Sequence, residues 1–217
     1  MSTLLQSARA ISHTLLSLHQ GEITDEVLLN IIEKTKAMNI VEPLRDKDDI
    51  QAMKDYLSSW NEKYYMLFLL GINTGFRVGD ILKLKVKDVQ GWHIKVREQK
   101  TGKYKSIKMT RPLKNELREF VKDKELHEYL FQSRVGKNKA LSYKTVYWFL
   151  KRAAEDLGID NVGTHTMRKT FGYHYYKKYK NVADLMSLFN HSSPAVTLIY
   201  ICVRQDELDT KMSNFSL

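Results

Sequence analysis

Apolar residues recur at helical spacing along most of this chain, and the exceptions locate its turns and its sheet. Ile11 to His19 and Asp25 to Met38 predict two short amphipathic helices separated by Gly21, the second with Val27, Leu28, Ile31 and Ile32 on one face. Thr24 is suited to cap that second helix. The polar stretch from Glu42 to Asp49 reads as a junction. Asp48 to Ser58 and Lys63 to Gly71 then predict helices, the second strongly apolar. Asn73-Thr74-Gly75 breaks the pattern, and Val78 to Leu84 resumes it.

Period two takes over next. Trp92, Ile94 and Val96 alternate with polar residues, and Tyr104 to Met109 do so less regularly. Lys100-Thr101-Gly102-Lys103 lies between them, which predicts a β-hairpin with a basic, glycine-containing turn. Pro112 suits the first turn of a helix reaching about Lys124, and Tyr129 to Gln132 predicts a short strand. Ser142 caps a helix that Gly158 ends, and Thr164–Tyr179, Val182–Phe189 and Pro194–Tyr200 supply the remaining helices. In the tail, Ile201, Val203, Leu208, Met212, Phe215 and Leu217 are interspersed with charges, the pattern of a short helix with one apolar stripe to bury. The predicted class is mainly α with a small antiparallel β-sheet (α+β). It divides into a short helical segment, residues 1–44, and one domain, residues 45–217, whose tail is 201–217.

Composition supports an ordered globular chain: 43% of the 217 residues are hydrophobic, 28% are charged, and there are three prolines. One cysteine, Cys202, excludes an internal disulfide framework and fits a reducing compartment. No apolar run reaches membrane-spanning length, and the N-terminus lacks the basic-then-apolar order of a signal peptide, so a cytoplasmic protein without a membrane partner is expected. Charge sharpens the picture. Lys plus Arg number 35 against 25 acidic residues, a formal charge of +10. Residues 1–45 hold four basic and five acidic groups, so the whole excess lies beyond them. A polyanion, usually nucleic acid, is the partner such a balance suits, although a merely solubilising charge produces the same totals.

Six residues are candidates for chemistry: Arg77, Lys100, His165, Arg168, His191 and Tyr200. Each is ordinary by itself. Arg77 reads equally as a surface arginine, and Lys100 as a solvated turn residue. His165 and Arg168, three apart on a predicted helix, project from one face but also suit a helix start. His191 precedes a capped helix, where a local capping role is common, and Tyr200 is one of twelve tyrosines that by default pack into a core. The seven histidines and one cysteine show no His-x-x-x-His or Cys-x-x-Cys spacing, and no Gly-x-x-x-x-Gly-Lys loop occurs. No metal, cofactor or nucleotide is called for.

In order and spacing, however, the six resemble the tyrosine recombinase (phage integrase) family. The matching segments are Thr-Gly-Phe-Arg-Val-Gly-Asp-Ile-Leu-Lys-Leu (74–84), Lys-Thr-Gly-Lys (100–103), Thr-His-Thr-Met-Arg-Lys-Thr-Phe (164–171) and Asn-His-Ser-Ser-Pro-Ala-Val-Thr-Leu-Ile-Tyr (190–200). The nine-residue step from His191 to Tyr200 is characteristic of that family, and the resemblance covers about Leu44 to Tyr200. Departures are Phe76 and Met167 where leucine is usual, Lys169 where histidine is common, and Phe189-Asn190 in place of Leu-Gly before His191. Asparagine tolerates left-handed backbone better than most residues, so the loop that positions His191 can survive the last change.

The resemblance implies a DNA strand-transfer enzyme, a site-specific recombinase or integrase of mobile DNA, acting on double-stranded DNA as a homo-oligomer in a tetrameric synapse. It implies Tyr200 as nucleophile forming a 3′-phosphotyrosyl link, Arg77 and Arg168 on the phosphate, and Lys100 as general acid for the 5′-oxygen. It further implies a proton-accepting or phosphate-orienting role for His165 and a hydrogen bond from His191 to a non-bridging oxygen. A type IB topoisomerase uses related residues, and an inactive DNA-binding regulator of the same fold is a further alternative. The tail has two destinations: its own domain, or, as in relatives, a neighbouring protomer.

Overall fold

The computed structural model describes residues 41–97, 102, 104–203, 206, 210, 212–213 and 215. The two helices expected between Ile11 and Met38, and Lys100 in the hairpin turn, lie outside the described residues. Chain contacts divide the protein into compact units at residues 1–40 and 41–217. The second unit carries every element that follows.

Helix α1, Lys47–Trp60, starts where the Asp46 carboxylate accepts from the Asp48 backbone N–H at 2.8 Å, and it buries Met53 and Leu57. Helix α2, Glu62–Thr74, is the apolar centre of the domain, with Met66 to Gly71 all buried. It runs three residues past the expected end. The Thr74 hydroxyl donates back to the Leu70 carbonyl at 2.7 Å, and termination waits for Gly75, which is left-handed at φ 64°. Helix α2 crosses a later helix so closely that a Cβ on Gly71 would lie 2.6 Å from the Met167 sulfur.

Val78–Ile81 forms only one turn, α3, rather than the helix expected through Leu84. The difference has a backbone cause. Val86 N–H donates to Glu128 O at 3.0 Å and Leu130 N–H to Leu84 O at 2.8 Å, so the segment after Ile81 is drawn into extended pairing. The same pairing accounts for the expected strand at Tyr129–Gln132, which exists only as isolated bridges to Lys85 and Ala140. A 3₁₀ turn, Val86–Val89, leads into strands β1, His93–Arg97, and β2, Tyr104–Lys108. They pair antiparallel with Ile94 opposite Ile107 and Val96 opposite Lys105.

Helix α4, Arg111–Phe120, stops short of the expected Lys124, because residues 121–124 form a turn closed by Lys124 N–H to Val121 O. Helices α5, Tyr143–Asp156, and α6, Thr166–Tyr179, follow, then α7, Val182–Phe189, and α8, Pro194–Tyr200. The core around α2 gathers side chains from α1, the hairpin, α4 and α5. A second apolar cluster joins Tyr173, Leu185 and Phe189 to Ile201 and Val203 of the tail. The start of the tail therefore packs on its own domain, whereas Met212 and Phe215 remain exposed at 59% and 63%. Among the described residues no helix is long and apolar enough to cross a membrane.

Candidate active site

Arg168 lies in the first turn of α6 and is buried, at 3% exposure. An unpaired guanidinium there would be costly, and the fold surrounds it with oxygen and π density instead. One terminal nitrogen donates to Gly75 O at 2.5 Å and the other to Phe189 O at 3.2 Å, with the Phe189 ring 4.2 Å from the guanidinium carbon. The left-handed turn at Gly75 thus ends α2 and also presents a carbonyl to Arg168. Arg77, at the start of α3, reaches the same Phe189 carbonyl at 3.4 Å. Two arginines from distant segments consequently converge on one backbone oxygen.

Tyr200 closes α8, and its hydroxyl lies 3.2 Å from Nδ1 of His165. Burial raises the Tyr200 pKa, while the charges of Arg168 and Arg77 work in the opposite direction. Desolvation lowers the pKa of His165, and Arg168, Lys169 and Arg77 lower it further, even though the residue keeps an edge to solvent. The resting arrangement is a phenol facing a neutral imidazole. His165 occupies the cap position of α6 rather than its first turn. Thr166 explains this: its hydroxyl accepts from Gly163 N–H at 3.0 Å and its own N–H donates to Gly163 O at 3.0 Å, so residues 163–166 form a closed turn before the helix.

His191 follows Asn190, which does adopt left-handed backbone at φ 56° and ψ 48°. The His191 N–H donates to Met186 O at 3.0 Å, its Nδ1 lies 3.1 Å from Thr197 Oγ1, and its ring packs edge-on to Tyr200 at 5.1 Å. Desolvation lowers its pKa, reinforced by Arg168, Arg77 and Lys105. Five of the six sequence candidates are therefore brought together, and the sixth, Lys100, is outside the described residues.

The structure adds residues that sequence reasoning missed. A cleft of about 170 Å³ is lined by Arg77, Asp80, Tyr143, Thr164, His165 and Arg168. The Tyr143 and Thr164 hydroxyls are hydrogen-bonded across it. Lys105 is opposite Val96 in the hairpin register, and its ammonium donates to the Leu188 carbonyl beside His191. Its place two residues before Ile107, on the same inward face of the strand, is the available signal, although a lysine in a β-strand ordinarily reads as solvent-facing. Among the described residues no group of three or more His, Cys, Asp or Glu side chains is arranged to hold a metal ion.

Helices around a two-stranded sheet form the tyrosine recombinase catalytic-domain fold. A crystal structure of XerA recombinase superposes with a TM-score of 0.63 at 22% identity, covering 80% of this chain and 66% of that one. A lambda integrase dimer bound to a COC′ core site superposes with a TM-score of 0.58 at 22% identity, covering 75% and 47%. The chain belongs to the phage integrase family, whose model matches residues 23–207. It is 45% identical over 170 residues to the probable integrase/recombinase YoeC of Bacillus subtilis, covering 78% of this chain and 93% of that relative. It is 31% identical over 163 residues to the tyrosine recombinase XerA of Saccharolobus solfataricus, covering 74% of this chain and 53%, about half, of that protein.

Proposed function

We propose that the protein is a site-specific DNA recombinase that cuts and rejoins strands through a covalent 3′-phosphotyrosyl intermediate on Tyr200, with residues 45–217 as its catalytic domain. The observation that carries this reading is the Tyr200 hydroxyl, 3.2 Å from His165 Nδ1, with the charges of Arg168 and Arg77 opposing the rise that burial causes in its pKa. Double-stranded DNA is the proposed substrate, in a tetrameric assembly of the chain. The charge of +10 supports that partner, as does the lambda integrase neighbour, which is bound to its core site as a dimer.

The chemistry follows from the residue types. A phosphodiester repels nucleophiles, and Arg77 and Arg168 offset that repulsion as charge grows on the non-bridging oxygens. Arginine stays protonated at any working pH and offers a planar fork of donors. The Tyr200 oxygen attacks phosphorus, its proton passes to the neutral His165 Nδ1, and the P–O5′ bond breaks. The departing 5′-oxygen takes a proton from Lys100, and His191 hydrogen-bonds a non-bridging oxygen. Phenolate is itself a serviceable leaving group, so a 5′-hydroxyl from another strand reverses the step and no bond energy is lost to water.

Lys100 provides the test of this proton inventory. Lys100→Ala is expected to form adduct slowly on ordinary DNA, by roughly 100-fold or more as for lost general acids, yet at close to the parent rate on DNA with a 5′-bridging sulfur. Sulfur leaves without a proton. Single-turnover gels on both substrates read the difference, and equal defects on the two would remove Lys100 from the acid role.

A further inference from the structure

Thr197 lies on the inner side of α8, three residues before Tyr200, and is completely buried. Its hydroxyl has two neighbours. It donates to the Ser193 carbonyl at 3.2 Å, one turn back along the helix, and it lies 3.1 Å from Nδ1 of His191. A hydroxyl has one proton. The Ser193 carbonyl, which also receives the Thr197 N–H at 3.3 Å, can only accept, so a hydroxyl that donates to it meets His191 as an acceptor, with Nδ1 as the donor.

We infer that Thr197 is a positioning residue that fixes His191 as the Nδ1–H tautomer and so leaves Nε2 as the nitrogen offered to the substrate. This inference rests on the function proposed above and refines it at one atom. Free histidine slightly prefers its proton on Nε2, so the arrangement works against the ring's own tendency. The clamp is rigid on both sides. Ser193, the acceptor, is the N-cap of α8, with its side chain accepting from Val196 N–H at 3.2 Å. His191 is fixed by its backbone bond to Met186 O and by edge-on contacts to Phe189 at 5.5 Å and Tyr200 at 5.1 Å.

The tautomer has a chemical consequence. A neutral Nδ1–H ring presents a lone pair at Nε2, whereas donating to a phosphate oxygen requires Nε2–H. His191 therefore fills the donor role only as the imidazolium, with both nitrogens protonated. In the free protein the groups facing it are Arg77, Arg168 of α6 and Lys105 of β2, with the Tyr200 phenol of α8 against its ring, and burial first, then the three cations, favour the neutral form. A phosphate bound between the arginines supplies the negative charge that permits the second proton.

The test begins on the whole chain labelled with ¹⁵N-histidine, without DNA, at neutral pH. The parent is expected to show His191 with a protonated-type Nδ1 and a lone-pair-type Nε2. Thr197→Val, isosteric but lacking the hydroxyl, is expected to move the proton to Nε2, and Thr197→Ser to restore the parent pattern. On DNA that yields adduct with the parent chain, Thr197→Val is expected to slow adduct formation roughly 10- to 100-fold, the range for losing the partner that orients a functional histidine, because the ring, though it then carries Nε2–H, is no longer held toward the phosphate. A protonated Nε2 in the parent, or the same tautomer in parent and valine variant, would overturn the clamp. Should the valine variant unfold, the parent spectrum and the serine variant still decide. An absent Tyr200 adduct in the parent would instead sink the strand-transfer reading, leaving the tautomer result standing by itself.

Discussion

Tyr200→Phe is expected to leave DNA binding intact and to abolish the covalent protein–DNA adduct entirely. The change removes one oxygen and retains the ring that packs against Phe189, His165 and His191. Its effect on folding should be small, about 1 kcal/mol or less, the usual net value of a hydrogen bond lost from a half-buried hydroxyl. The loss of chemistry should be complete, because no other group replaces a covalent nucleophile. Mobility-shift and denaturing gels on the same samples separate the two quantities. Adduct that survives denaturation in the phenylalanine variant would exclude Tyr200 and direct attention to Tyr173, Tyr175 and Tyr176. Two of those have unsuitable settings. Tyr173 is pushed up to about 12 by desolvation and a hydrogen bond to Asp206, and Tyr175 to about 12 by its hydrogen bond to Asp184. An acidic partner holds the proton on a phenol, whereas Tyr200 has cations and an imidazole around it.

Arg168→Ala is expected to cost both stability and activity, the only candidate change to do so strongly. Its side chain supplies the donors to Gly75 O and Phe189 O and the cation over the Phe189 ring, so its removal takes a partner from Gly75 O and leaves Phe189 O with only the longer bond from Arg77. The cost in unfolding free energy should be roughly 1–3 kcal/mol. Adduct formation should fall by about 100- to 1000-fold beyond any loss of folded protein, the range for removing one preorganised donor from a transition-state oxygen. Arg77→Ala is expected to lower adduct formation with a smaller stability cost, because Arg77 is less buried than Arg168 and makes the longer bond to Phe189 O, 3.4 Å. Urea melts combined with single-turnover rates on the folded fraction measure both. A folded Arg168→Ala protein with the parent rate would remove this arginine from the phosphate.

How much of this was legible in the sequence depended on whether local signals ruled. Helices α7 and α8 match their expected bounds because their ends are determined locally: Asn181 and Ser193 cap them by accepting from backbone N–H groups, and Pro194 opens α8. The expected end of α2 was early because polar Asn73 and Thr74 look like breakers, yet both bond back to carbonyls of their own helix. Helix α3 was overextended because the pull on Leu84 and Val86 comes from residues 128–130, more than forty positions away. Such pairing leaves no periodic trace. The site behaved similarly. Its ordered motifs name Arg77, His165, Arg168, His191 and Tyr200; the fold sets four of them on Phe189 and His165 against Tyr200. Phe189 itself, read only as a departure from a family pattern, is the hub whose carbonyl takes both arginines. Thr197 and Lys105 carry no distinctive signal in the sequence, since a threonine in a helix and a lysine in a strand are unremarkable until burial and register are known.

Strand transfer by this protein rests above all on a phosphorus–oxygen bond formed at a single side chain, as proposed for Tyr200. The direct measurement is to trap the protein on duplex DNA containing its recombination site, digest the denatured adduct with protease and nuclease, and locate the nucleotide by tandem mass spectrometry. The expected result is one modified peptide, from the segment ending α8, carrying a 3′-linked nucleotide on Tyr200, with a free 5′-hydroxyl on the departing strand. A nucleotide on any other residue, a 5′-linked adduct, or cleaved DNA with no protein attached would contradict it.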